Sequence, residues 1–226
     1  YDDNMKGGAF QIMNSWGDRW GDRGFCWVKY SDFEYFTKEA YGLHPMGTAK
    51  NQDPNKLSVD FGFVENGTMK NIPLTQVGDI VFRSNRPVAK GTRFKVEVTN
   101  SIECYTYILG EETDGSSYVL FPYTDKHSPY CGITGTRLFP RSQSLMADDL
   151  GTRDRVAVII SKVPIDIKAL NNALNTAPGS YDQKLNLVIG QYTVPNVAFK
   201  SGDVIHFDAE VKDKKAVAMV IELQKQ

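Results

Sequence analysis

Asp154-Arg155-Val156-Ala157-Val158-Ile159-Ile160-Ser161 is the stretch on which the fold turns. From Val156 to Ser161 it is a continuous apolar run rich in β-branched residues, suited to a strand inside a core. Working upstream, Phe94-Lys95-Val96-Glu97-Val98 alternates apolar and polar, the period-2 pattern of a half-buried strand. Tyr105 to Leu109 and Tyr118 to Phe121 flank Asp114-Gly115 and read as a hairpin. Val59 to Val64 reads as a strand ended by the turn pair Asn66-Gly67, and Ile80-Val81-Phe82 follows Gly78-Asp79. Downstream, Asp166 to Asn175 carries Ile167, Leu170 and Leu174 at helical spacing. Val204 to Glu210 and Val217 to Leu223 read as a closing hairpin over Lys212-Asp213-Lys214-Lys215. Eight to ten strands with few helices predict a mainly β protein. The expected architecture is an antiparallel sandwich or barrel with one or two short helices.

The beginning of the chain reads differently. Ala9 to Met13 and Gly24 to Lys29 are two short strands around a Trp- and Gly-rich connection, and they make a short β remnant apart from the main domain. Ser31 to Tyr41 opens on a Ser or Asp cap, with Phe33, Phe36 and Ala40 at helical spacing, and predicts a short helix. Residues 45–58 carry Pro45, Gly47, Asn51, Asp53, Pro54 and Asn55 with no periodicity, and read as a linker. The expected organisation is a first segment over residues 1–45, a linker and first strand over 46–70, and a β domain over 71–226. Tyr1 is not an initiator Met and no leader is visible, so either a leader has been removed or the chain is a piece of a longer polypeptide.

Composition narrows the function classes. The 226 residues are 41% hydrophobic and 23% charged, ordinary globular proportions. A formal net charge of -1 supplies no basic field for nucleic acid or an anionic membrane, and no apolar run is long enough to span a bilayer. Cys26, Cys104 and Cys131 form no CxxC pair and no metal motif, so no cofactor is implied. They read as buried or half-buried thiols, with a Cys104–Cys131 bridge left open for an oxidising compartment.

The most specific string is Gly8-Ala9-Phe10-Gln11-Ile12-Met13-Asn14-Ser15-Trp16-Gly17-Asp18-Arg19-Trp20-Gly21-Asp22-Arg23-Gly24-Phe25. Two Trp-Gly pairs stand four residues apart, preceded by Asn-Ser and followed by Gly-aromatic, and all 3 tryptophans fall between residues 16 and 27. The string resembles, almost position for position, the Asn-Ser-Trp-Gly-x-x-Trp-Gly-x-x-Gly-Tyr segment of the papain-like cysteine peptidases. Tyr1-Asp2-Asp3 is similar to the turn that follows the strand carrying that family's catalytic His.

The resemblance implies roles for two residues. In that hydrolase family a Cys thiolate attacks the peptide carbonyl while a His takes and returns the proton. Asn14 matches the residue whose side-chain carbonyl orients the His, as the third member of a triad does elsewhere. Trp16 matches the indole that shields the Asn–His hydrogen bond from water. Gly17, Gly21 and Gly24 are expected in tight turns and close chain approaches.

The departures are as informative. The family's Gln-x-x-x-Cys-Gly-x-Cys-Trp segment is absent from the chain. Cys26-Trp27 falls where the family has a strand residue, and the catalytic His is expected before Tyr1. His44, His127 and His206 stand in a linker, a polar loop and a strand, and read as surface or structural residues. The chain alone is therefore expected to be inactive, with the missing N-terminal part of the peptidase domain as its natural partner.

A second resemblance covers residues 72–175. Its carriers are Val77-Gly78-Asp79-Ile80-Val81-Phe82, Cys104-Tyr105-Thr106-Tyr107-Ile108-Leu109-Gly110, Val119-Leu120-Phe121-Pro122-Tyr123, Leu138-Phe139-Pro140-Arg141 and Asp154 to Pro164. In that order they resemble an uncharacterised bacterial accessory domain attached to papain-like and caspase-like peptidases. This implies a β-sandwich binding or structural module, and family habit implies an extracytoplasmic place: secreted, periplasmic or on the cell surface.

Two sharper readings compete with plainer ones. Leu120-Phe121-Pro122-Tyr123 with Tyr130 would make an aromatic platform for sugar or peptide, but an alternating strand buries half of such residues, and the core reading is preferred. Asp148, Asp149 and Asp154 around Gly151 suggest an oxygen-rich calcium loop, yet their spacing does not fit the known 12-residue loop. Arg153 and Arg155 are expected to pair with these aspartates instead. The alternative to a peptidase fragment is a non-catalytic adhesion module, binding protein or glycan, that retains a peptidase remnant.

Overall fold

Every residue of the run from Val156 to Ser161 is buried, and the layers around it explain the composition. The computed structural model describes residues 1–13, 17, 19–38, 53–124, 127–132, 135–140 and 143–226. The chain divides into two compact units, Tyr1–Lys50 and Asn51–Gln226.

The first unit holds β1 (Ala9–Met13), β2 (Phe25–Lys29) and α1 (Tyr30–Phe36). β1 and β2 pair antiparallel, with Phe10 opposite Val28 and Gln11 opposite Trp27. α1 matches the expected helix in place but not in its cap. It starts directly from β2, Lys29 holds the cap position without a side-chain hydrogen bond, and Ser31 lies inside the first turn. Residues 39–41 of the expected helix lie outside the described residues.

The second unit contains β3 (Lys56–Glu65), β4 (Leu74–Gln76), β5 (Val81–Ser84), β6 (Arg93–Asn100), β7 (Cys104–Glu111) and β8 (Ser117–Phe121). These are followed by β9 (Tyr130–Cys131), β10 (Arg137–Phe139), β11 (Leu145–Met146) and β12 (Arg153–Ser161). Then come α2 (Ile167–Thr176), α3 (Tyr181–Ile189), a 3-10 turn at Gly190–Tyr192, β13 (Phe199–Lys200), β14 (Ile205–Glu210) and β15 (Ala216–Gln224). β3 begins at Lys56, inside the stretch read as linker, because Leu57 already packs into the core.

Two sheets form. One runs β10-β6-β3-β14-β13 with β11 also on β6; the other runs β4-β5-β15-β12-β7-β8 with β9 also on β7. All strand pairs are antiparallel except β5 with β15, where Val81 lies opposite Val220. The protein is thus mainly β, a sandwich of antiparallel sheets rather than a barrel, with three short helices among the described residues.

Alternation assigns each side chain to a layer. Val156, Val158 and Ile160 of β12, with Val217, Met219, Ile221 and Leu223 of β15, point between the sheets toward Phe61, Phe63, Val96 and Val98. Ala157 and Ile159, with Ala216, Ala218 and Val220, point the other way, under Leu170 and Leu174 of α2 and Tyr181, Leu185 and Ile189 of α3. β12 and β15 are therefore buried on both faces, which is why neither alternates in polarity. Each such leucine or isoleucine contributes about 1.5–3 kcal/mol through burial.

α2 starts where expected, with Asp166 accepting hydrogen bonds from the backbone of Lys168 and Ala169. α3 was not anticipated, although Ser180 and Gln183 form a capping box at its start. The closing hairpin expected over 204–223 does not form. β14 pairs with β3 in one sheet and β15 with β12 in the other, so residues 212–215 carry the chain from sheet to sheet.

Candidate functional site

Asn14, Ser15 and Trp16 lie outside the described residues, but the frame on both sides of them is defined. Asn14 follows Met13, the last residue of β1, and so opens the β1–β2 connection. That connection closes on itself beyond the tryptophans. Gly24 N donates to Trp20 O at 2.7 Å, and Asp22 and Phe25 exchange backbone bonds of 2.8 and 3.0 Å. Gly17, Gly21 and Gly24 all have positive φ, as the turns expected there require. At Gly21 a Cβ would also overlap the Phe25 carbonyl.

The start of the chain folds back on this frame. Asp2 and Ala9 exchange backbone bonds of 2.9 and 3.0 Å, and Tyr30 Oη donates to Asp3 Oδ1 at 2.6 Å. The bond to Asp3 pushes the Tyr30 phenol up to about 12. Phe10 packs on Tyr30 and Phe33, at 4.6 and 4.9 Å between ring centres, so α1 covers one face of the ribbon. On the opposite face Met13, Phe25 and Trp27 are exposed. Among the described residues of this unit only Gly8, Ala9 and Gly24 are buried.

Among the described residues, none of the other candidates assembles a nucleophile and a base. Cys26 is an interior residue of β2, paired across the ladder with Ile12. His44 lies outside the described residues. His127 Nδ1 bonds to Thr124 Oγ1 at 2.9 Å, with its ring edge-on to Tyr123. His206 sits opposite Asp60 on the β14–β3 ladder, with Nδ1 at 2.7 Å from Asp60 and Nε2 at 3.5 Å from Asp208. Carboxylates face both ring nitrogens, and through Asp60 the ring ties β14 to β3.

The β domain gathers charge at one end of its seven-stranded sheet. Arg83, Glu222, Arg155 and Glu111 are consecutive cross-strand neighbours on β5, β15, β12 and β7, a row of alternating sign. Glu222 Oε2 meets Arg83 at 2.7 Å and Oε1 meets Arg155 at 2.8 Å, while Arg155 reaches Glu111 at 3.1 Å. Burial works against the Glu222 charge, yet Arg83 and Arg155 hold its carboxyl below the usual range.

On the opposite face of the same sheet, Lys225 is fully buried and its ammonium meets Asp148, Asp154 and the Leu150 carbonyl. Burial alone would depress the ammonium, but the two aspartates outweigh it and raise it. Asp154 is pushed up by its own burial, and Asp148 is pulled down by its bond from Lys225.

This arrangement corrects the expected pairing. Arg153 and Arg155 turn to Glu222, and it is Lys225 that neutralises Asp148 and Asp154. A built-in cation thus stands where calcium was weighed. No cluster of three metal-ligating side chains occurs among the described residues.

Asp148 and Asp154 also line a cleft of about 330 Å³ bounded by strands of both sheets. Phe94, Leu120 and Leu145 give it apolar walls, and Glu112, Asp148 and Asp154 a carboxylate rim. Tyr118 lies in it, its phenol pushed up by burial and then by those same three carboxylates.

The aromatic platform separates into two parts. Phe121 is buried and stacks on Phe139 at 4.6 Å, Tyr123 packs on Phe121 and His127, and Tyr130 instead packs on Tyr105. The preferred core reading thus applies to Phe121, while Tyr123 and Tyr130 are partly exposed. Sequence reasoning missed Glu222 and Lys225, because their importance comes from partners on other strands and on the loop before β12. No helix among the described residues is long and apolar enough to cross a membrane. No family model, no curated protein and no solved structure matches the chain.

Proposed function

We propose that the chain is the C-terminal part of a bacterial papain-like cysteine peptidase, carrying an accessory β-sandwich domain, and that it is inactive alone. The observation that carries this reading is the ribbon of β1 and β2. Its connection begins at Asn14 of the Asn-Ser-Trp-Gly string, and one of its faces exposes Met13, Phe25 and Trp27. Soluble proteins seldom leave such apolar clusters open, and the catalytic part of a peptidase domain would cover this one. In the assembled enzyme Asn14 accepts the N–H of an upstream His, and Trp16 keeps water from that bond.

The test begins with the coding sequence before Tyr1, which must supply a Cys-Gly-x-Cys-Trp-like segment and a His; their absence sinks the proposal. Where they are present, the joined protein should hydrolyse a fluorogenic peptide and take a thiol-directed epoxide label, and the chain by itself should do neither. Asn14→Ala in the joined enzyme should lower kcat by roughly 10²-fold or more with little change in KM.

The rival reading is a non-catalytic module that binds protein or glycan. The cleft walled by Phe94, Leu120 and Leu145 favours it, being of a size used for ligands. Array binding by the full chain that is lost on Leu120→Arg, with no peptidase segment upstream, would establish this reading over the first.

A further inference from the structure

We infer that Cys104 and Cys131 are a redox pair that closes reversibly to a cross-strand disulfide, stapling β9 to β7. The two residues are direct partners on the antiparallel β7–β9 ladder, and the neighbouring pair Tyr105–Tyr130 fixes the register through ring contact at 5.6 Å. Thr106 N donates to Pro129 O at 2.9 Å, two residues along, which makes Cys104–Cys131 a hydrogen-bonded pair of the ladder. Such pairs hold their Cα atoms about 5.5 Å apart, inside the window a disulfide needs. Both thiols are free and buried, and Cys131 Sγ lies 3.5 Å from Thr106 Oγ1 on β7. Cys26 belongs to the other unit and has Ile12 as its ladder partner.

The surroundings divide the roles. The neighbouring Cys104 thiol, Thr106 and the Arg137 guanidinium pull the Cys131 thiol down, while Cys131 and burial push Cys104 up. Cys131 sits on the two-residue β9, where a local opening exposes it first, whereas Cys104 is fully buried on β7 within the sheet; Cys131 is therefore the attacking thiol and Cys104 the resolving one. β9 is only two residues long, so its detachment from β7 is a small local opening that admits an oxidant.

The oxidant is a small-molecule disulfide such as oxidised glutathione. The Cys131 thiolate attacks one of its sulfurs, forming a mixed disulfide and releasing one thiolate. Cys104 then loses its proton and attacks the Cys131 sulfur, forming the Cys104–Cys131 bond and releasing the second thiolate. Two protein thiols are oxidised and one disulfide is reduced to two thiols.

The experiment treats the full chain with dithiothreitol or with oxidised glutathione. It then measures intact mass, free thiols in denaturant, and melting temperature. The oxidised sample should lose two hydrogens, retain one free thiol, and yield a peptide joining Cys104 to Cys131. Its melting temperature should rise by roughly 5 °C or more and return on reduction. Cys26→Ser should leave all of this intact, and Cys104→Ser should hold one glutathione on Cys131. Three free thiols after oxidation, or a bridge that includes Cys26, would overturn the inference, and this readout on the unsubstituted chain needs no variant to fold.

Discussion

Arg155 and Glu222 stand directly opposite each other on β12 and β15, Nε to Oε1 at 2.8 Å, in the middle of a four-strand row of alternating charge. Only 5% of the Glu222 side chain is exposed, against 52% for Arg153, which reaches the same carboxylate from 3.7 Å. Glu222→Ala should therefore cost about 2–4 kcal/mol, since it takes from Arg83 and Arg155 the buried carboxylate they share, leaving Arg155 only Glu111. Arg153→Ala should cost about 0.5 kcal/mol or less. Urea midpoints separate the two. The Glu222 carboxyl is held low, so its contribution is complete above the ordinary glutamate pKa of about 4.3 and fades as pH falls through its folded value. The gap between the native chain and Glu222→Gln should close in that acid range.

Lys225 gives a second pH signature, in which two carboxyls act with opposite sign. Asp148 is pulled down on folding, so it stabilises above the ordinary aspartate pKa of about 3.9 and loses that effect as pH falls. Asp154 is pushed up by burial, so it favours the folded state when protonated and loses that effect as pH rises through its folded value. Asp154→Asn should make acid unfolding steeper, because only the Asp148 contribution remains. Lys225→Met should lower stability by about 3 kcal/mol near neutral pH, by leaving two carboxylates without their cation. Stability followed from pH 3 to 7 by denaturant titration checks both.

Gly110 and Tyr118 are cross-strand partners on β7 and β8, and a Cβ at Gly110 would overlap the tyrosine ring. Gly110→Ala should cost about 1–3 kcal/mol by forcing that ring aside. Combined with Tyr118→Ala, most of that cost should vanish. A double-mutant cycle showing simple additivity would rule out the contact as its source.

At α2, Asp166→Ala should cost about 1 kcal/mol, because two backbone N–H groups lose their acceptor. Leu174→Ala, deep under the same helix, should cost about 2–5 kcal/mol. Thermal melts should rank them in that order.

The local part of this architecture was legible. β12 showed itself as an unbroken apolar run, β6 as an alternating one, and α2 by the helical spacing of Ile167, Leu170 and Leu174. What failed was pairing over distance. Lys212-Asp213-Lys214-Lys215 has the composition of a hairpin loop, and nothing in it reveals that Phe207 and Met219 face the same core from opposite sheets. α3 left a signal in Ser180, Gln183, Leu185 and Ile189 that went unread. The charge row was invisible for a stricter reason. Arg83 and Glu222 are 139 positions apart in sequence, and only the parallel β5–β15 pairing makes them neighbours. The Cys104–Cys131 pairing was open from the sequence as one possible bridge, and the β7–β9 register makes the two residues direct partners.

That parallel pairing also sets an order of events during synthesis. β15 is the last described strand to be made, yet it lies between β5 and β12 in the sheet. Until it emerges from the ribosome, β5 and β12 face each other across an empty lane, each with an unpaired edge, and Ile221 and Met219 are missing from the core. From the completion of β12 at Ser161 until β15 is made, the nascent chain therefore carries two unpaired strand edges, each open to pairing with another chain. A translational pause after β12 should raise aggregation more than one placed after β15.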